Sequence, residues 1–309
     1  MCRKLLIVCL VLVLAACAPA ASQAPTPVVP TETPVPAPTL RPFPIKISAS
    51  VMVGDIEMSI SCRGTGEPTI ILENGLGNIS WENKTVDEIN KITRTCRYLR
   101  AGMNPGNELN GPRTTMDQVK ELRSLLDQIA VPGPYILVGH SVAGLNMPLF
   151  ANQYPKDVVG IVCVDCRPPL FGGLVLEKLS TDASFDPKDI KVYLDNYEYW
   201  LRDWKNTSEN LDLVASEEQA LKVTSLGDIP FIALVADGVW GSKDPIYALD
   251  PDLAKFISSN WLDQNQVLCD LSTDCRLEVV AGTDHESITK NEAVIKAIQE
   301  VYDAVKSGQ

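Results

Sequence analysis

The chain has 309 residues, 45% hydrophobic and 21% charged, with 27 Lys and Arg against 39 Asp and Glu and a formal net charge of −12. This is an ordinary balance for a globular protein with a full core. The acidic excess, with no basic stripe, excludes nucleic acid as an expected partner, because phosphate contacts need clustered Lys and Arg.

Arg3 and Lys4 precede an apolar run from Leu5 to Leu14. That run is too short to span a bilayer comfortably and has the length of a secretory h-region. It ends in Leu14-Ala15-Ala16-Cys17, which resembles the lipobox of bacterial lipoproteins. The resemblance makes residues 1–17 a lipoprotein signal peptide with Cys17 as the lipidated residue. It implies an exported protein of the bacterial cell envelope, held at the membrane by more than one acyl chain, since one chain anchors weakly. A plain signal peptide cut near Ala16 and Ala18 is the alternative. Residues 18–44 are rich in Pro, Ala and Thr, almost uncharged and without apolar periodicity. They read as an extended linker of roughly 80 Å in polyproline II form. Residues 45–309 are then the folded domain.

Within the domain, Thr69–Glu73 reads as a buried strand followed by a Gly-containing loop, and residues 97–101 as a second short strand. Thr115 and Gln118 have capping-box spacing. Met116, Val119, Leu122, Leu126 and Ile129 recur at helical spacing, and Pro132-Gly133-Pro134 stops that helix. A strand from Tyr135 leads into Gly139-His140-Ser141-Val142-Ala143-Gly144, and a helix runs from Leu145 to Tyr154. Residues 158–164, 230–236 and 276–280 read as further strands. A last helix carries Val294, Ile298, Val301, Tyr302 and Val305 on one face. Alternating strands and helices predict a mostly parallel central sheet flanked by helices. Residues 168–228 break the alternation and read as a helical cap inserted between two strands, with Tyr193, Tyr197, Tyr199, Trp200 and Trp204 in it.

Cys62, Cys96, Cys163, Cys166, Cys269 and Cys275 form an even set, which in an exported protein suggests disulfides. Cys163-Val164-Asp165-Cys166 is a C-x-x-C, but no second one exists and the histidines are His140 and His285. A metal site is therefore not expected. The motif ends a strand pattern, whereas a redox pair opens a helix.

The chemistry centres on Ser141. A serine between small residues at a sharp strand-to-helix turn has a strained backbone and an exposed hydroxyl. The relaxed G-x-S-x-G pattern carries little by itself; the buried strand before it and the helix after it give it weight. From about Ser59 to Ala304 the chain resembles the serine-nucleophile α/β-hydrolases, esterase- and lipase-like. The resemblance rests on ordered segments: Thr69–Gly77, Arg97–Gly102, Gly139–Ser141, Val162–Asp165, Pro230–Asp237 and Thr283–His285. It departs from the family at Leu99, where aspartate is common, at Asn74, where many members have histidine, and at Ala143 in place of glycine.

The resemblance implies an α/β-hydrolase fold and names the parts. Ser141 is the nucleophile. His285 is its base, because His140 lies inside the elbow and points away. Asp237, ending the strand that usually carries the acid, is the first choice for that role, with Asp165 and Asp244 as alternatives. The main-chain N–H groups of Leu76 and Val142 form the oxyanion hole. The fold also implies a Cys62–Cys96 pair and a Cys269–Cys275 pair, and leaves Cys163 and Cys166 open. Together these predict a serine hydrolase that cleaves a small, partly apolar carboxylic ester through an acyl-enzyme, without metal or organic cofactor. Amidase, peptidase, thioesterase and perhydrolase chemistry fits the same residues, while serine at the elbow argues against dehalogenases and epoxide hydrolases. A non-catalytic ligand-binding lipoprotein on the same fold is the rival from another class.

Overall fold

The most apolar runs form the middle of one sheet. In the computed structural model, β3 (Thr69–Glu73) and β5 (Tyr135–His140) are buried at every residue. Unbroken burial is the pattern of strands covered on both faces by helices. By contrast, β1 (Lys46–Val53) and β2 (Ile56–Arg63) alternate in exposure and form an antiparallel hairpin at one edge. The structure describes residues 45–77, 81–104, 108–237 and 251–308, without the side chains of 194 and 196–202. The signal peptide, Cys17 and the linker lie outside these residues, as does Asp244.

With β4 (Thr95–Leu99), β6 (Val158–Val164), β7 (Phe231–Ala236) and β8 (Cys275–Val280), the strands make one 8-stranded sheet in the order β1-β2-β4-β3-β5-β6-β7-β8. Pairing is antiparallel for β1–β2 and β2–β4 and parallel elsewhere. The helices are α1 (Asn83–Ile89), α2 (Thr115–Ile129), α3 (Ala143–Gln153), α4 (Phe171–Thr181), α5 (Pro187–Arg202), α6 (Leu213–Ala220), α7 (Pro251–Cys269) and α8 (Glu292–Ser307). The segment between β6 and β7 is helical, carrying α4, α5 and α6.

Successive residues of a strand face opposite sides. Ile71 joins a core with Leu122 and Leu126 of α2 and Phe150 of α3, while Ile70 and Leu72 join one with Ile298 and Val301 of α8. Each fully buried Leu or Ile contributes about 1.5–3 kcal/mol, so both layers are held by the sheet they share.

Helix α2 begins one residue earlier than its sequence spacing suggests. Thr114 and Asp117 form the capping box. Thr115 and Gln118 point inward instead and are buried, at 0% and 3% exposure. Strand β4 likewise starts at Thr95, because its register is set by β2. Cys62 and Cys96 lie opposite each other in that pairing and are bridged, as are Cys269 and Cys275 between α7 and β8. Cys163 and Cys166 form a third bridge at the end of β6.

The parallel strands end on a common edge. Strand order reverses at β3, which has β4 on one side and β5 on the other. Ligands of open α/β sheets bind beyond the strand ends at such a switch point. The residues at that point are the loop after Glu73 and Ser141.

Candidate active site

Ser141 has φ 57°, left-handed backbone that a non-glycine residue rarely adopts. Its neighbours make the turn sterically feasible. A Cβ on Gly139 would lie 2.4 Å from Cβ of Ala143, and one on Gly144 would lie 2.5 Å from the Arg167 carbonyl oxygen. Ala143 fits fully buried, so its departure from glycine leaves the elbow intact. The Ser141 carbonyl accepts hydrogen bonds from Gly144 N at 2.9 Å and Arg167 N at 2.6 Å. The elbow is thereby tied to the loop after β6.

His285 enters from the loop after β8. Ser141 Oγ lies 3.0 Å from its Nε2, and its Nδ1 lies 2.6 Å from Oδ2 of Asp165. A carboxylate only accepts, so Nδ1 carries the proton and Nε2 presents its lone pair to the serine. Asp165 is 1% exposed, with φ 46°. Its Oδ1 accepts from Ala236 N at 3.1 Å and from Trp261 Nε1 at 2.8 Å. A buried carboxylate needs such donors to offset its desolvation.

The expectation for the acid is corrected here. Asp237 is exposed and accepts from Thr283 N at 3.1 Å, steadying the root of the histidine loop without reaching the imidazole. The left-handed residue at the end of β6 turns Asp165 inward, whereas Asp237 continues off the end of β7. Asp284 accepts from the N–H groups of Glu286 and Ser287, where the following 3-10 turn begins. These hydrogen bonds, that of Ser287 first, hold its carboxyl below the usual carboxylate range.

His140 does not bond the Ser141 hydroxyl, as expected, but it has a task of its own. Its Nε2–H donates to the carbonyl oxygen of His285 at 2.6 Å, and the ring centroids are 4.4 Å apart. Complete burial, with the neighbouring His285 adding to it, pushes its pKa down to about 3. It is a neutral strut beneath His285.

The loop after β3 runs against Ser141. A Cβ on Gly75 would lie 2.9 Å from His140 Nδ1 and 3.3 Å from Ser141 Cβ. Leu76 follows, half-buried, and Val142 is the N-cap of α3. Among the described residues, neither the Leu76 nor the Val142 N–H has an acceptor. Val142, Leu145, Leu211, Leu213 and Ala220 form an apolar cluster against Leu76. Arg167 donates from Nε to Glu217 Oε1 at 2.8 Å, joining the loop after β6 to α6. Among the described residues no group of three or more His, Cys, Asp or Glu is arranged to hold a metal.

Sequence reasoning did not find Trp261 or Glu209. Trp261 lies on a stripe of buried residues, Leu253, Ile257, Trp261, Asn265 and Leu268, whose spacing marks α7. The polar Asn265 obscures that stripe.

No family model matches the chain. It is 36% identical over 110 residues to "Probable transporter efuK" of Hormonema carpetanum, a match covering 33% of this chain and 16% of that protein. It is 34% identical over 105 residues to "Uncharacterized protein YqjL" of Bacillus subtilis, covering 33% and 41% respectively. The chain thus spans less than half the length of these curated relatives. Identity to "Probable esterase PIR7A" of Oryza sativa is 27% over 186 residues, covering 53% of this chain and 69% of that protein.

Among solved structures, mouse alpha/beta hydrolase domain-containing protein 10 superposes with a TM-score of 0.56 at 18% identity, over 85% of this chain and 100% of that one. A thermophilic esterase from Thermogutta terrifontis gives 0.54 at 17%, over 84% and 98%. The haloalkane dehalogenase DatA from Agrobacterium tumefaciens gives 0.55 at 13%, over 84% and 97%. The chain therefore has the α/β-hydrolase fold. Neighbours of such different chemistry share it, so the fold does not choose the reaction.

Proposed function

We propose that the chain is a serine hydrolase cleaving a carboxylic ester of a small, partly apolar substrate through an acyl-enzyme. The supporting observation is the hydrogen-bond chain from Ser141 Oγ through His285 to Asp165. Asp165 fixes the tautomer in which Nε2 of His285 can take a proton. Ser141 Oγ attacks the ester carbonyl as its proton passes to Nε2. The carbonyl oxygen becomes an oxyanion beside the N–H groups of Leu76 and Val142. Each such donor is worth about 2.7–4 kcal/mol to the transition state. Collapse of the tetrahedral adduct breaks the bond to the leaving alcohol, which takes the proton from His285. A water then attacks the acyl-serine with His285 again as base; the acyl bond to Ser141 Oγ breaks as Oγ takes the proton back from His285, and the carboxylic acid leaves.

The setting of this activity is proposed as the bacterial envelope, with a lipid anchor on Cys17 and residues 18–44 as the tether. The lipobox-like segment supports this, and disulfides suit an oxidising compartment.

Fluorophosphonate labelling tests the reaction. The adduct should map to Ser141 and should vanish in His285→Ala, and a small ester and amide panel should show ester turnover. A domain that stays unlabelled and inactive on every ester defeats the proposal and favours a binding protein.

A further inference from the structure

Glu209 belongs to the segment inserted between β6 and β7, yet its side chain is buried with 0% exposure. It meets Arg100, which follows β4 and is 2% exposed. Arg100 Nε donates to Glu209 Oε2 at 2.6 Å and Nη2 to Oε1 at 2.8 Å. The remaining donors go to the loop beside the nucleophile. Nη2 reaches the Gly75 carbonyl at 2.7 Å, and Nη1 reaches the Asn74 carbonyl at 2.6 Å and Glu73 Oε1 at 3.4 Å. Glu209 Oε1 also accepts from Gly77 N at 3.2 Å. A planar guanidinium with five N–H groups can serve this many acceptors at once; an ammonium with three cannot.

A buried ion pair is a weak source of stability, because desolvation offsets its Coulomb gain. This one is also wired to the surroundings of Ser141. Gln118 donates to Glu209 Oε2 at 2.8 Å, and Asn146 of α3 donates to Gln118 Oε1 at 2.8 Å. The helix that starts at the elbow and the loop that passes the serine therefore share one polar network.

The direction of these bonds has a chemical consequence. In a trans peptide the C=O and the following N–H point opposite ways. Fixing the Gly75 carbonyl on Arg100 turns the Leu76 N–H away from Arg100, while Gly75 itself faces Ser141 and His140. We propose that Arg100 and Glu209 are positioning residues for the oxyanion hole, with the inserted segment supplying the carboxylate that holds the Leu76 N–H toward the reacting carbonyl. The proposal rests on the serine-hydrolase function above.

The test compares wild type with Glu209→Gln, which keeps the shape and removes the charge. With p-nitrophenyl butyrate as probe, kcat should fall about tenfold or more, toward the loss seen when an oxyanion donor is removed. KM should stay within about threefold, because the lost interaction is made in the transition state. Fluorophosphonate labelling of Ser141 should slow in parallel, since phosphonylation also loads charge onto an oxygen. A folded variant with kcat within about twofold of wild type, or with its loss in KM alone, overturns the proposal. Wild type that neither turns over the ester nor labels at Ser141 defeats the hydrolase function itself, a separate result. If the variant does not fold, the crystal structure of phosphonylated wild type decides. A phosphonyl oxygen on the Leu76 N–H, with the Gly75 carbonyl on Arg100, upholds the proposal; an oxygen bound elsewhere overturns it.

Discussion

Nδ1 of His285 lies 2.6 Å from Oδ2 of Asp165, a residue 120 positions earlier in the chain. Asp237, the other strand-end aspartate, instead bonds the main chain of Thr283. The two carboxylates therefore predict different kinetics. Asp165→Asn should lower kcat by about 10⁴, because an amide favours the wrong imidazole tautomer. Asp237→Asn should cost only a few fold. Steady-state rates of the two variants check this, and a larger loss in the Asp237 variant would reverse the assignment.

His140 gives a pH dependence of defined sign. Its folded-state pKa, about 3, lies below its ordinary value of 6.5 because of burial. Below 6.5 the unfolded chain takes up a proton that the folded one refuses. Its contribution is thus fully present above pH 6.5 and is lost as pH falls toward about 3, at about 1.4 kcal/mol per pH unit. His140→Gln should remove this slope. Urea unfolding of both proteins between pH 6.5 and 4.5 measures it, and parallel curves would refute it.

Gly144 leaves no room for a side chain. A Cβ there would meet the Arg167 carbonyl oxygen at 2.5 Å and Cys166 Cβ at 2.8 Å. Gly144→Ala should destabilise by about 1–3 kcal/mol, as overpacking does. It should also lower kcat, since the displaced loop carries Asp165. A variant with wild-type Tm and rate would show that the loop yields freely.

The Cys62–Cys96 bridge joins β2 to β4 across a sequence separation of 34. Loop-closure entropy for a ring of that size gives about 4 kcal/mol. The double variant Cys62→Ala/Cys96→Ala should lose Tm accordingly while keeping its kcat at low temperature, because neither cysteine touches the site. Thermal unfolding and an ester assay on the same sample measure both.

Much of the site was legible because its signals are local. The all-buried run of β5, the small residues Gly139, Ala143 and Gly144, and the helix that follows leave Ser141 few alternatives. With His140 inside the elbow, His285 was the remaining candidate for the base. The α2 cap shows the limit of such reading. Thr115 and Gln118 have the same spacing as Thr114 and Asp117, one residue on. The structure turns the first pair inward because Gln118 has Glu209 to bond and Thr115 has Asn146.

Composition, periodicity and motif order by themselves determined the parallel sheet and the helical insertion, since each is written in local segments; the pairing of Ser141 with His285, 144 residues apart, was implied only by the family resemblance. Which carboxylate meets His285, and the clamp on the loop after β3, were decided only by folding. Asp165 and Asp237 both end buried strands and look alike in one dimension; what separates them is a left-handed φ at one and the Trp261 N–H, 96 residues away, that fills its second oxygen. Glu209 and Arg100 meet across 109 residues. A charge tolerates burial only beside its partner, and that proximity is a property of the fold rather than of any segment.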